Sequence, residues 1–128
     1  MNNMERGKKA VEIHRQGYNC CQSVLLSCAD LTDLSKETLA CLGAGFLGGM
    51  ATAKGTCGAL VGAQMIMGLN EFKGKQLPGN ARGLCEKFED HCGAVICGAI
   101  KGKETGKVLC SCDECIRFGA QMIEEIYG

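Results

Sequence analysis

The segment at residues 56–70 constrains the fold most, because it is apolar on nearly every side and contains no charged residue. A helix with apolar residues all round is normally buried at the centre of a protein. Three glycines, Gly58, Gly62 and Gly68, lie within it and would weaken it as an isolated helix. We therefore predict a Gly-rich, nearly all-apolar central helix that neighbouring helices approach closely at these glycines.

The rest of the chain also favours helices. No stretch alternates apolar and polar residues over the length of a strand, and proline occurs once, at Pro78. Asn19 and Ser111 are good N-caps, and each has Gln or Glu three residues later, which is the capping-box pattern. A length of 128 residues suits one domain. The sequence predicts an all-α, single compact domain over residues 1–128, with about five helices around the central one.

The charge balance excludes one class of partner. The 14 basic and 14 acidic side chains cancel, and the pI is about 6.7. Binding of nucleic acid needs a surplus of basic residues, so we expect no nucleic-acid partner. The longest uncharged runs, at residues 38–53 and 55–70, are shorter than the roughly 20 apolar residues that cross a bilayer. We therefore expect no membrane span.

Cysteine is the most unusual component, at 11 of 128 residues. An odd number would leave one thiol unpaired in a disulfide scaffold, and the polar N-terminal residues contain no secretion signal. Both observations predict a cytoplasmic protein, in which thiols more often serve metal or redox chemistry than disulfides.

Three cysteines follow residues that predict the start of a helix: Cys20, Cys57 and Cys112. Unpaired N–H groups and the helix dipole stabilise a thiolate there, and the thiolate is the form that binds metal or attacks a disulfide. Lys54 precedes Cys57 and should lower its pKa further, so Cys57 is the candidate catalytic nucleophile for thiol–disulfide chemistry. Acidic neighbours make Cys112 a better candidate for a metal ligand.

Other cysteines carry a weaker signal. Cys112 and Cys115 form a C-x-x-C pair, a spacing that serves zinc, iron–sulfur and dithiol chemistry alike. Cys28, Cys41 and Cys85 lie in the middle of predicted helices. Free cysteine packs well as a small apolar residue, so we predict that these three fill the core.

Several motifs occur together in a fixed order. Residues 57–62 read C-G-A-L-V-G, residues 18–20 read Y-N-C, and a Gly-rich stretch lies at residues 43–49. In this combination the chain resembles the redox-active protein family named for its C_GCAxxG_C_C motif. The resemblance extends over about residues 5–127.

The resemblance implies four site cysteines, Cys20, Cys57, Cys97 and Cys112. Cys97 is matched through its spacing from a preceding phenylalanine and glycine, and Cys115 is the rival of Cys112 for the last position. A related domain in split-Soret cytochromes is associated with an iron–sulfur cluster. The resemblance therefore implies a cluster here, [2Fe–2S], for electron transfer or redox sensing with a redox partner protein.

Alternatives remain open at the level of sequence. Four further cysteines lie beside the matched ones and could act as alternate ligands: Cys21, Cys92, Cys110 and Cys115. A metal-free thiol–disulfide protein would use Cys57 as the attacking thiol. A structural zinc ion would stabilise the fold without chemistry. Whether the protein is an enzyme or a homo-oligomer is also left open.

Overall fold

A computed structural model describes residues 3–128, which form seven α-helices and no strand. The helices in chain order are α1 (Asn3–Arg15), α2 (Cys20–Ser27), α3 (Lys36–Gly43), α4 (Gly58–Glu71), α5 (Pro78–Cys92), α6 (Cys97–Ile100) and α7 (Cys112–Tyr127). The predicted all-α class is confirmed, and the central helix corresponds to α4. Within the described residues, no helix is both long enough and apolar enough to cross a membrane.

Two helices, α2 and α4, share the centre of the fold. Helix α4 packs against α2, α5 and α7, as its apolar surface predicts, whereas α2 contacts α1, α3, α4 and α7. Helix α2 is equally buried although it contains Ser23 and Ser27. Both hydroxyls donate to the helix's own backbone, Ser23 to Asn19 O at 2.7 Å and Ser27 to Val24 O at 2.8 Å. Polar residues satisfied in this way can be buried at little cost.

The contact between α2 and α4 depends on glycine. A Cβ atom on Gly62 would lie 2.9 Å from Cys21 O and 3.2 Å from Val24 Cβ. The predicted close approach is therefore confirmed at Gly62. It is wrong at Gly68, where nothing lies within 4 Å of the position of a Cβ atom, because this glycine comes near the end of α4 beyond the contact with α2.

The helix starts follow the predicted caps. Asn19 and Gln22 form a complete capping box at α2. Ser111 accepts from the N–H of Glu114 at α7. The count of helices exceeds the prediction partly because α6 is a separate turn. Gly93, with φ of 91°, ends α5 before α6 begins.

A strained turn at Gly49–Ala53 precedes α4. Met50, Ala51 and Ala53 have φ values of 61°, 65° and 65°, in the left-handed region. Such a conformation costs roughly 1–2 kcal/mol for a residue other than glycine. The turn is held by backbone hydrogen bonds, including Ala51 N to Leu47 O at 2.6 Å.

A buried arginine joins α1 to two distant parts of the chain. Arg6 is 1% exposed and donates to Ser27 O at 2.7 Å, to both carboxylate oxygens of Asp30, and to Glu124 Oε2 at 3.3 Å. The hydrogen bonds from Arg6 lower the pKa of Asp30. The guanidinium therefore ties α1 to the end of α2, to the following turn, and to α7.

The three cysteines predicted to fill the core have different positions. Cys28 is fully buried, which confirms the prediction, and Cys85 is half-buried with its sulfur 3.1 Å from Gln64 Nε2. Cys41 is exposed, so the prediction is wrong there. Helix α3 buries only Leu39 and Gly43, and Cys41 lies on its opposite side.

Candidate functional site

Four cysteines singled out from the sequence lie at helix starts. Cys20 is the first residue of α2, Cys97 that of α6, and Cys112 that of α7. Cys57 directly precedes α4, one residue earlier relative to the helix than predicted. The predicted placement of Cys20 and Cys112 in a first helical turn is confirmed. Each start offers N–H groups that no carbonyl of its own helix accepts.

Backbone pairing brings Cys57 and Cys97 together. The N–H of Cys57 donates to Val95 O at 2.7 Å, and the N–H of Cys97 donates to Gly55 O at 2.9 Å. Between these bonds, Thr56 and Ile96 form an isolated antiparallel bridge. Two cysteines 40 positions apart in the sequence are thus held on adjacent extended segments.

The Cys20 sulfur lies beside Cys57, against the start of α4. The hydrogen bond to Cys57 is the largest cause that raises the pKa of Cys20, followed by burial. The second residue of the C-G-A motif, Gly58, makes this contact sterically possible. A Cβ atom on Gly58 would lie 2.4 Å from Cys20 Sγ and 2.5 Å from Phe46 O. The glycine of the motif therefore leaves space for the sulfur of another cysteine.

Backbone N–H groups face two of these sulfurs. The amides of Gly48 and Cys21 lower the pKa of Cys20, and that of Ala59 lowers the pKa of Cys57. Each of these amides favours the thiolate and opposes the effect of burial on the pKa. Gly48 opens the strained turn, so this turn supplies part of the polar surroundings of Cys20.

The contacts of Cys57 continue to a buried cysteine triad. The pKa of Cys57 is affected by Cys115 as well as by Cys20, so the three thiols lie near one another. The Sγ atoms of Cys92, Cys110 and Cys115 all lie within 4.8 Å of one another, and all three residues are buried. Three thiols this close could hold a metal ion. We call the connected set Cys20, Cys57, Cys115, Cys92 and Cys110 the thiol network.

Cys97 and Cys112 lie beside this network and nearer the surface. Cys97 is half-buried and Cys112 is exposed. Burial is the first cause that raises the pKa of Cys97, and the charges of Cys20 and Cys112 also raise it. Cys97 is therefore close enough to both for electrostatic interaction. That Cys20, Cys57, Cys97 and Cys112 act together as ligands stays a prediction. Cys21, the other predicted alternate, is buried in α2.

The side chain of Lys101 places a positive charge beside the thiol network. Its Nζ atom lies 3.6 Å from Cys115 Sγ and donates to Cys110 O at 3.1 Å. Burial lowers the pKa of Lys101, but the charges of Cys115 and Cys112 outweigh this effect, so the pKa is raised. The sequence pointed instead to Lys54, which is exposed.

The predicted low pKa of Cys57 is wrong. The hydrogen bond with Cys115 is the largest cause that raises it, to about 11, and burial adds to the effect. The hydrogen bond with Cys20 and the amide of Ala59 oppose the rise without cancelling it. Neighbouring thiols therefore affect the pKa of Cys57 more strongly than the helix start does.

A comparison with models of known protein families finds a match. A family model described as "Putative redox-active protein (C_GCAxxG_C_C)" matches residues 18–126. The chain belongs to the C_GCAxxG_C_C family. No curated protein and no solved structure matches it. The C_GCAxxG_C_C match runs from the residue before the cap of α2 to the last turn of α7, and so contains the whole thiol network.

The sequence of this C_GCAxxG_C_C protein gave no sign of one feature, Lys101, and only a weak sign of a second, the cysteine triad. Lys101 carried no local signal, because it is brought to Cys115 by the turn of α6. The triad was anticipated only as a set of alternate ligands. Its members lie at the end of α5 and around the start of α7, and only the packing of these helices shows that they converge.

Proposed function

We propose that the protein is a one-electron redox protein in which Cys20, Cys57, Cys97 and Cys112 hold a [2Fe–2S] cluster for electron transfer or redox sensing. The observation that carries the proposal is that Cys20 Sγ lies beside Cys57 in the space that Gly58 of the family motif leaves free, 2.4 Å from where a Cβ atom on Gly58 would lie. Thiolates are the usual ligands of such clusters, and four suffice.

The residues around these sulfurs suit a cluster. Close to neutral pH, several neighbouring thiols cannot ionise together, and a bound cation removes that obstacle. The amides of Gly48 and Cys21 favour the thiolate of Cys20, and that of Ala59 favours the thiolate of Cys57; amides near a sulfur tune the potential of thiolate-bound iron. Gly49 leaves the space against Cys97, where a Cβ atom would lie 2.6 Å from Cys97 Cβ.

Two cysteines of α7, Cys112 and Cys115, compete for the position of the fourth ligand. Cys112 is exposed and its charge acts on Cys97, whereas Cys115 is buried and lies near Cys57. We assign the position to Cys112, because it opens α7 as Cys20 and Cys97 open their helices and because it acts on Cys97. Comparison of Cys112→Ser with Cys115→Ser tests this choice, and Cys112→Ser should lose more iron.

The main test is anaerobic purification followed by iron and sulfide analysis and a visible spectrum. We expect a brown protein with iron–sulfur charge-transfer bands. Cys57→Ser should lose the iron and the bands. Cys85→Ser should keep the iron and the bands, because Cys85 lies outside the thiol network and accepts a hydrogen bond from Gln64. Full iron content and redox activity in Cys57→Ser would contradict the proposal.

A second candidate function is thiol–disulfide exchange, favoured by the nearness of Cys57 to both Cys20 and Cys115. The Cys57 thiolate would attack a disulfide substrate and release one substrate thiolate. Cys20 or Cys115 would then attack the mixed disulfide, release the second substrate thiolate and leave an internal disulfide. The burial of Cys57, which is 3% exposed, and its raised pKa both disfavour the first step. A metal-free sample with a rapidly alkylated Cys57 would support this function.

We expect a reducing compartment such as the cytoplasm as the site of action, because the thiol network would otherwise be open to oxidation. A bound zinc ion at the four motif cysteines is the remaining alternative for this site. It would give a colourless protein with zinc and without iron. The same metal analysis therefore separates the three alternatives.

A further inference from the structure

The buried triad is compact enough for one metal ion. The Sγ atoms of Cys92, Cys110 and Cys115 lie within 4.8 Å of one another. Two thiolates bound to the same tetrahedral zinc ion lie about 3.8 Å apart, given a Zn–S distance of about 2.3 Å. Small side-chain movements would therefore bring all three sulfurs to bonding distance from a common point.

The backbone holds the three residues in place independently of the motif cysteines. Cys92 is the last residue of α5, which Gly93 ends in the left-handed conformation. Cys110 and Cys115 flank the cap of α7, where Ser111 accepts from the N–H of Glu114 at 3.1 Å. A site at this point would join α5 to α7, and it uses none of the four residues assigned to the cluster.

The surrounding charges favour a divalent ion. Three thiolates around a divalent cation leave a charge of −1, and a net buried charge is costly. The ammonium of Lys101, 3.6 Å from Cys115 Sγ, supplies the compensating charge. Arg117 also lies near the triad, but Glu114 binds it at 2.6 Å and already balances it. A monovalent ion such as Cu⁺ would leave one negative charge without a partner.

We propose that Cys92, Cys110 and Cys115 form a second metal site that binds Zn²⁺ and fastens α5 to α7. An all-sulfur donor set selects thiophilic metals, and zinc brings no redox chemistry of its own. The fourth position of a tetrahedral zinc remains available to a non-protein ligand. The site is structural and does not depend on whether the motif cysteines hold iron.

The test is the zinc content of the reduced full-length chain after incubation with excess Zn²⁺ and removal of the free ion. We expect Cys92→Ser and Cys110→Ser to retain one equivalent less zinc than the unmutated chain. Cys28→Ser is the matched control, because Cys28 is fully buried but lies outside the thiol network. Zinc should also raise the Tm of the unmutated chain and of Cys28→Ser more than that of the triad variants.

Three results would overturn the proposal. The first is equal zinc content in the triad variants and the unmutated chain. The second is loss of iron together with zinc in Cys92→Ser, which would show that the triad belongs to the cluster site. The third result needs no variant. It is an alkylation rate of Cys92, Cys110 and Cys115 in the unmutated chain that zinc does not reduce. An iron-free protein that still shows the zinc pattern would refute the cluster and support the triad site.

Discussion

At the scale of single residues, glycines decide where sulfur atoms can lie. Gly58 follows Cys57 in the C-G-A motif, and its missing side chain is the space that Cys20 Sγ occupies. Ten residues later in the same helix, Gly68 has no neighbour within 4 Å of its Cβ position. The two glycines look alike in sequence, but only the first has a steric role. The apolar pattern of this helix therefore predicted that neighbouring helices approach it closely, but it did not show at which glycines they do so.

Gly58→Ala should disrupt the site. The added methyl group would lie 2.4 Å from Cys20 Sγ and 2.5 Å from a backbone oxygen, so α2 and α4 must separate. Overpacking of this kind costs about 1–3 kcal/mol, and we expect lower iron content together with a lower midpoint in urea unfolding. Gly68→Ala is the control and should stabilise the protein by about 0.5–1 kcal/mol, since alanine is the better helix former. Equal effects from the two substitutions would contradict this account.

At the scale of helices, the starts were easier to predict than the contacts. Asn19 and Ser111 cap α2 and α7 as their local sequences indicate, because capping depends on residues within one turn. The position of Lys101 over Cys115 and the convergence of Cys92 with Cys110 depend on the packing of separate helices. The nearness of Cys57 to Cys97 likewise depends on a backbone bridge that no local pattern encodes.

Glu114 connects α7 to α5 and should make stability depend on pH. Its Oε2 atom lies 2.6 Å from His91 Nε2 and 2.6 Å from Arg117 Nη2. Hydrogen bonds from Arg117, and then from His91, lower the pKa of Glu114 from 4.5 to about 2. The stabilisation is therefore present above about pH 4.5 and is lost as the pH falls towards 2.

Glu114→Gln should consequently lower the Tm at neutral pH, and the difference from the unmutated chain should shrink between pH 4.5 and 2. The effect should also weaken in high salt, because the carboxylate is partly exposed. Thermal unfolding at several pH values measures it, with Glu104→Gln in an exposed loop as the control for loss of one carboxylate. A difference in Tm that stays constant down to pH 2 would show that the ion pair is not responsible.

At the scale of the whole molecule, ion pairs around the buried Arg6 join the ends of the described chain. Arg6 in α1 contacts Asp30 after α2 and Glu124 in the last helix. This long-range closure could not be predicted from sequence, because Arg6 lies among other charged residues that give no sign of its burial. The prediction that residues 1–128 form one domain stays a prediction, and the packing of α1 against α7 agrees with it.

Arg6→Met should destabilise the protein by about 3–5 kcal/mol, because it leaves the buried Glu124 carboxylate without its partner. Arg15→Ala removes an exposed pair with Asp113 and should change stability by less than about 1 kcal/mol. Urea unfolding measures both. The double variant Arg6→Met with Glu124→Gln should recover part of the loss. If the double variant were less stable than Arg6→Met, the unpaired carboxylate would not be the cause.

The spread of the thiol network along the chain has a consequence for biosynthesis. Its members extend from Cys20 in α2 to Cys115 in α7. A ribosome must therefore release residue 115 before the network can assemble. Until then, the adjacent pair Cys20 and Cys21 remains unsheltered in the nascent chain. Those two thiols are therefore open to metal ions and oxidants while the residues between Cys21 and Cys115 are being translated.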